Sequence, residues 1–451
     1  MTSGDSPLAR VARLSAAFLG SNLARAGIGF GLSFALARGL GADGFGRWIL
    51  CTAWASTLTV VSDLGLGVLL TRDGAREHAE AGRLLIAGLV LRLSLAIPLA
   101  AVLYAGAAFI SSDPQTIAGL RIAALLGTAG AAYGCFGALL RSQPRWLPTV
   151  LAIETGWLAI QLIAAWWLVG IGWAEWAGWA GWAGWAGWRG TEGHGIVAMM
   201  MLAVLIQVAQ IVTAVALWRL VFGERGRVYA PSIGVLRVFA RRAMPFAASG
   251  IVANLQTRVG PLMLGYLSTS PEVGFFAAAS RFGSVARLVP QAMFAGALPV
   301  LSHEHGRDGA AAERMARAFD AMLLGGSAAV AIGSALFAVP VLRLVYGPSF
   351  TPAAPALIWV SVGLMPLLSN SGRKVFLYAT GGEASVVRWS TVGVILQVVF
   401  GAVLIPALGS VGAAASLAAG EAVIWWPLRR ASRQTGHSDD RSSAADALAL
   451  G

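Results

Sequence analysis

The chain is 451 residues long, 57% hydrophobic and 12% charged, about half the ~25% charge expected of a soluble domain. With a mean hydropathy of +0.71, that composition excludes two or three water-soluble domains in tandem. A net charge of +12 would suit nucleic acid, but the basic residues follow a pattern set by a bilayer.

Twelve apolar stretches, near 15–37, 46–70, 84–110, 117–140, 147–171, 195–218, 243–267, 273–301, 318–342, 354–380, 386–408 and 411–428, are each long enough to cross a membrane. Hydrocarbon offers unpaired backbone groups no partner, so each is expected to be a helix. Arg10 and Arg13 precede the first run, which exceeds a signal-peptide core and reads as a retained span. With the N-terminus placed in the cytoplasm, the even-to-odd loops lie inside. They carry Arg72, Arg76 and Arg83, then Arg141 and Arg145, then Arg219, Arg225, Arg227, Arg237, Arg241 and Arg242, then Arg307, Arg314 and Arg317, then Arg388. The tail adds Arg429, Arg430, Arg433 and Arg441, while the opposite loops hold little beyond Arg38, Arg47, Arg189 and Arg343. That asymmetry places both termini in the cytoplasm and explains the high pI without nucleic acid.

Between spans five and six, Trp recurs every third residue from Trp173 to Trp188. That period does not fit a helical stripe, and Trp favours the headgroup region, so this outer loop is expected on the membrane surface. The longest inner connection divides the chain into halves of six spans, which gives both the same orientation, as in a parallel repeat with a cleft between the halves. The expected organisation is all-α and membrane-integral, with about twelve transmembrane helices in two six-helix lobes around a central cavity. Residues 1–222 form the first lobe (its Trp-Ala-Gly loop at 172–194), 223–242 a basic cytoplasmic linker, 243–430 the second lobe and 431–451 a disordered cytoplasmic tail. Short outer turns join spans one and two and spans seven and eight. In each, an acidic residue, Asp43 or Glu272, stands where it can cap the next helix.

Signals for catalysis are poor. The five histidines, His78, His194, His303, His305 and His437, lie in loops or tail, and no metalloprotease, nucleotide-binding or nucleophile-elbow motif is present. No cofactor or metal is expected. Cys51 and Cys135 sit in apolar runs and read as small packing residues. Ionisable residues within the spans carry the information, because charges at that depth are costly and normally line water or pair with one another. They are Arg25, Arg92, Arg121, Glu154, Arg258, Arg281, Arg287, Asp320, Arg373, Lys374 and Glu421. Arg25, Arg258, Arg287 and Arg373 are the candidates for lining a positive cavity, which suits a phosphate or diphosphate headgroup. Glu154 and Asp320 suit either counter-ions or Na+ or H+ coupling sites. Arg92, Arg121, Lys374 and Glu421 are expected to snorkel or lie near an interface. Gly27 with Gly31, and Gly130 with Gly134, have the spacing that permits close helix packing.

The stretch from Leu36 to Glu77 reads LARGLGADGFGRW, then an apolar helix, then Asp63-Leu64-Gly65 and Arg72. It resembles the amino-terminal pattern of the polysaccharide-biosynthesis flippases of the multidrug/oligosaccharidyl-lipid/polysaccharide (MOP) exporter superfamily. The resemblance implies a MATE-like pair of six-helix bundles in a bacterial inner membrane. It also implies a polyprenyl-diphosphate-linked oligosaccharide as cargo, flipped by alternating access for O-antigen, capsule or exopolysaccharide synthesis. Partners would be the bilayer, a polysaccharide polymerase and other envelope-synthesis proteins. One rival is a multidrug or small-molecule antiporter of the same fold, for which acidic residues should dominate the cavity. Another is an integral-membrane glycosyltransferase or polymerase, for which a sizeable outer domain with paired carboxylates is expected.

Overall fold

The computed structural model describes residues 7–76, 80–168, 195–223, 231–287, 309–380 and 382–449. Among the described residues every predicted span falls on a helix, because backbone in so apolar a run can satisfy itself only through its own i→i−4 bonds. In chain order these are α1 (Pro7–Asp63), α2 (Leu66–Arg76), α3 (Ala81–Ile110), α4 (Pro114–Arg141), α5 (Leu147–Leu168) and α6 (Gly195–Phe222). Next come α7 (Ile233–Leu267), α8 (Ser270–Ala286), α9 (Gly309–Val345), a 3-10 turn at Pro348–Ala353, α10 (Ala354–Ala379) and α11 (Glu383–Ala449). Among the described residues, seven helices are long and apolar enough to cross a membrane, or eight if the bent pair α1–α2 is one span. Three features account for most of the difference from twelve. Spans one and two run together as α1 across a break at Gly41 (φ 69°), and spans eleven and twelve as α11 across Gly409 (φ 55°). The second part of span eight, with the Trp-rich loop and His303 to His305, lies outside the described residues.

Side chains such as Val102, Phe109, Leu220 and Val403 are more than two-thirds exposed. Apolar surface on that scale belongs in lipid, and the chain is a multi-pass membrane protein.

The chain divides into two compact units, Met1–Arg258 and Val259–Gly451. In the first, α4 packs against α1, α3 and α6. Its contact with α1 runs along glycines. A Cβ at Gly119 would lie 2.8 Å from the Cys51 sulfur, one at Gly127 2.8 Å from the Ala55 carbonyl oxygen, and one at Gly130 2.9 Å from the Thr59 hydroxyl. Here small residues let backbones approach closely. Gly134 instead makes room for the Arg92 guanidinium, and Gly27 faces open space. Asp113 caps α4, accepting from the Thr116 backbone N–H at 2.8 Å and its hydroxyl at 2.7 Å, with Pro114 opening the first turn. Arg47 reaches the same carboxylate at 3.1 Å and Asp43 at 2.6 Å, so Asp43 serves an ion pair inside α1 rather than a helix cap.

At the other end of this unit, Leu66, Leu69, Leu70, Leu139 and Leu140 form a core with Trp218 and Phe222. Phe239 and Ala243 of α7 join it. The predicted linker 223–242 is therefore helical from Ile233 onward: Leu236, Phe239 and Ala243 recur at helical spacing and bury one face. The boundary between the units consequently falls within α7.

In the second unit α10 packs between α9 and α11. Tyr346 and Phe350, both fully buried, lie with ring centroids 5.4 Å apart at the 3-10 turn. Glu272, in the first turn of α8, accepts from the Ser410 backbone N–H at 2.6 Å. It thereby caps the part of α11 that restarts after Gly409. The segment 431–451, expected to be disordered, continues α11 as far as Ala449; its alanines from Ala444 favour helix.

Candidate functional site

In the first unit Arg25 and Arg141, from two different helices, converge on one buried carboxylate. Glu154, on α5, is 6% exposed and accepts three hydrogen bonds. Arg25 Nη1 of α1 donates to Oε2 at 2.9 Å. Arg141 Nη1 and the Tyr133 hydroxyl, both of α4, donate to Oε1 at 2.8 Å each. Tyr133 and Arg141 are eight residues apart, close to two helical turns, so both face α5. Arg141 ends α4, and helix side chains lean toward the N-terminus, so it reaches back along the helix over Gly137, where a Cβ would press on its guanidinium at 3.3 Å. On the adjacent positions Ser21 and Thr155 are hydrogen-bonded at 3.1 Å, fixing α1 against α5. A desolvated carboxylate costs several kcal/mol unless paired, and the charge-assisted donors supply that pairing. One carboxylate against two guanidiniums leaves one positive charge in excess. It lies on the accessible side, since the Arg25 and Arg141 side chains are 44% and 34% exposed.

The second unit repeats the arrangement with different helices. Asp320 of α9, buried, accepts from Arg373 Nη2 of α10 at 3.2 Å, from Arg429 Nη2 of α11 and from the Ser369 hydroxyl of α10. Ser369 and Arg373 are one turn apart on α10, as are Trp425 and Arg429 on α11. Trp425 Nε1 donates to the Ser369 hydroxyl at 2.9 Å, and the Arg429 guanidinium stacks 3.9 Å above the Trp425 ring. One turn earlier on α11, buried Glu421 accepts from Asn370 Nδ2 at 2.6 Å. This cluster is more closed than the first: Arg373 is buried with Asp320, and Arg429 is 26% exposed.

Of the predicted site residues, the structure joins Arg25 with Glu154 and Arg373 with Asp320. Arg258 is half-buried on α7 and Arg287 follows α8 as its C-cap; among the described residues neither bonds to Glu154 or Asp320. Arg92 and Glu421, expected near an interface, are buried instead. Arg92 pairs with Asp63, which also accepts from the Gly67 N–H at 3.0 Å. That gives the Asp63-Leu64-Gly65 motif a structural task. It holds a 53° bend between α1 and α2 through Leu64 (φ 44°) and Gly65 (φ 75°). The predicted span 46–70 is broken there, since Gly65 adopts a conformation that side chains resist. Arg121 is exposed, over the Tyr104 ring at 5.2 Å. Arg141, Tyr133, Arg429, Ser369 and Trp425 are functional candidates that hydropathy and charge alone do not single out; the spacings 133/141, 369/373 and 425/429 are their only signal in the sequence. Among the described residues no group of three or more His, Cys, Asp or Glu is disposed to hold a metal ion.

The profile of a family described as "Polysaccharide biosynthesis protein" matches residues 12–174 and 186–305, more than half of the chain. The chain belongs to this family. Among curated proteins no sequence matches it. Solved structures share its fold at low identity. An inward-facing multidrug resistance MATE family transporter of the MOP superfamily is 16% identical, with a TM-score of 0.70 over 92% of this chain and 95% of that one. The lipid II flippase MurJ, in an inward closed conformation, is 12% identical, with a TM-score of 0.68 over 94% and 89%. A MOP superfamily transporter from Pyrococcus furiosus is 15% identical, with a TM-score of 0.59 over 97% and 99%. The polysaccharide-biosynthesis family member thus has the MATE-like, all-helical fold of the MOP superfamily.

Proposed function

We propose that this protein flips a polyprenyl-diphosphate-linked oligosaccharide from the inner to the outer leaflet of the bacterial inner membrane, by alternating access, for synthesis of a cell-surface polysaccharide. The observation that carries the reading is the Arg25–Arg141 pair on Glu154. Two partly exposed guanidiniums, with one positive charge beyond what the carboxylate cancels, suit a diphosphate held through parallel N–H···O bonds. Membership of a polysaccharide-biosynthesis family supports a glycan cargo, and the fold shared with a lipid II flippase supports a lipid-linked one. The polymer served is an O-antigen, a capsule or an exopolysaccharide, and a polysaccharide polymerase and other envelope-synthesis proteins are the proposed partners. Any Na+ or H+ coupling through Glu154 or Asp320 would compete by charge with the guanidiniums already paired to the carboxylate.

The fold shared with a multidrug transporter keeps small-molecule antiport as the second reading. Deleting the gene in the source organism separates the two. Completed oligosaccharide-lipid should accumulate on the cytoplasmic leaflet. Normal delivery to the outer leaflet, with drug sensitivity altered instead, would favour antiport.

A further inference from the structure

We propose that Glu154 is a built-in competitor for the cargo's anionic headgroup, holding Arg25 and Arg141 in place when the site is empty and yielding them when a diphosphate arrives. This role rests on the headgroup reading and adds a means of regulating that site.

The geometry sets three conditions and meets each. First, the carboxylate is anchored. It is 6% exposed, and the Tyr133 hydroxyl holds it at 2.8 Å independently of either arginine. Second, the carboxylate engages each arginine sparingly. Both guanidiniums donate to Glu154 through one nitrogen, Nη1. A guanidinium has five N–H donors, so most remain for an incoming anion. Third, the arginines are accessible where the carboxylate is not, at 44% and 34% against 6%. An anion therefore meets the guanidiniums from their open side. It need not enter the space that Glu154 occupies, and it competes by charge rather than by volume.

Such competition suits a flippase better than an unopposed basic site. Two bare guanidiniums would hold a diphosphate tightly in both leaflets, and tight binding that does not differ between states slows release. A carboxylate that retakes the arginines lowers affinity and speeds release. The Asp320 cluster meets the third condition only in part, because Arg373 is buried with its carboxylate and Arg429 alone, at 26%, is open to an anion, so the competitor role belongs to the first unit.

The test uses the purified full-length protein, with geranylgeranyl diphosphate as probe and inorganic diphosphate as competitor. Glu154→Gln keeps the shape and an accepting oxygen but removes the competing charge. It should bind the probe on the order of tenfold more tightly, equivalent to about 1.4 kcal/mol, while export in cells falls. Arg25→Ala and Arg141→Ala should each weaken binding, and Arg25→Ala should cancel the gain in the double variant. Tyr133→Phe provides a second handle if Glu154→Gln fails to fold. Losing that donor leaves the carboxylate charge to the arginines, so binding should weaken about two- to threefold. If wild type binds and Arg25→Ala does not, but Glu154→Gln is unchanged or weaker, or Tyr133→Phe is unchanged, the competitor role is overturned and the headgroup reading stands. If the folded wild type does not bind the probe, the headgroup reading fails and the competitor role with it.

Discussion

Arg141 and Arg429 show how far a side chain's task departs from its place in the sequence. Both stand where an apolar run gives way to arginines, and both read as loop or tail charges on the inner side. In the structure each leans back along its helix and reaches a buried carboxylate. The lean comes from the direction of the Cα–Cβ bond in a helix. The partner is not legible in sequence, because it lies on another helix whose rotation about its axis is set by packing. Depth in the apolar runs is enough to single out Arg25, Glu154, Asp320 and Arg373. It is not enough to say that they neutralise one another in two separate groups. At Asp320 the consequence is stability. Asp320→Ala leaves Arg373 buried without its carboxylate and should cost about 3–5 kcal/mol. Thermal unfolding in detergent should show a large drop in the midpoint. A shift no greater than that of an exposed control such as Arg121→Ala would remove the cluster from the fold's support.

Helix breaks are the least legible features at the scale of elements. Apolar residues flank Leu64–Gly65 on both sides, so the span reads as continuous; the mark of the turn is polar, an aspartate placed to cap the start of α2. Gly409 is likewise silent in sequence, because its cap, Glu272, comes from α8, 138 residues away along the chain. The start of α4 is plainer, with Asp-Pro at its head. Partial burial pushes the Asp113 carboxyl up, and the hydrogen bonds from Thr116 and the charge of Arg47 outweigh it, so the group lies below its ordinary value. A carboxylate with a lowered folded pKa stabilises above its unfolded pKa, and that contribution disappears as pH falls through the folded value. Wild type should therefore lose thermal stability between about pH 5 and pH 2. Asp113→Asn keeps a capping side chain and should show a shallower loss over the same range. Identical pH profiles would remove this carboxylate from the acid response.

For the whole molecule, fold class is readable from length and apolarity alone, because a bilayer admits so few backbone solutions. The arginine asymmetry between alternate loops extends that reading to orientation, with both termini proposed to be cytoplasmic. A reporter active only in the periplasm, fused after Arg433, should remain silent; activity there would invert the topology. The two compact units are expected from sequence as six-span lobes, but contact within the chain assigns the first part of α7 to the earlier unit. Only the recurrence of Leu236, Phe239 and Ala243 hints at this beneath a surplus of arginines.

The glycine seam between α4 and α1 has a mechanical consequence. With Gly127 set against the Ala55 carbonyl and Gly130 against the Thr59 hydroxyl, little side-chain padding separates the two backbones there. Helices that touch through padding can shear, because side chains change rotamer to let them slide. Helices whose glycines seat against short side chains and, at Gly127, against the facing backbone have less of that padding to give. The α1–α4 pair is thus a stiff strut, and flexure along α1 is left to the two places where its path already turns, at Gly41 and at Leu64–Gly65.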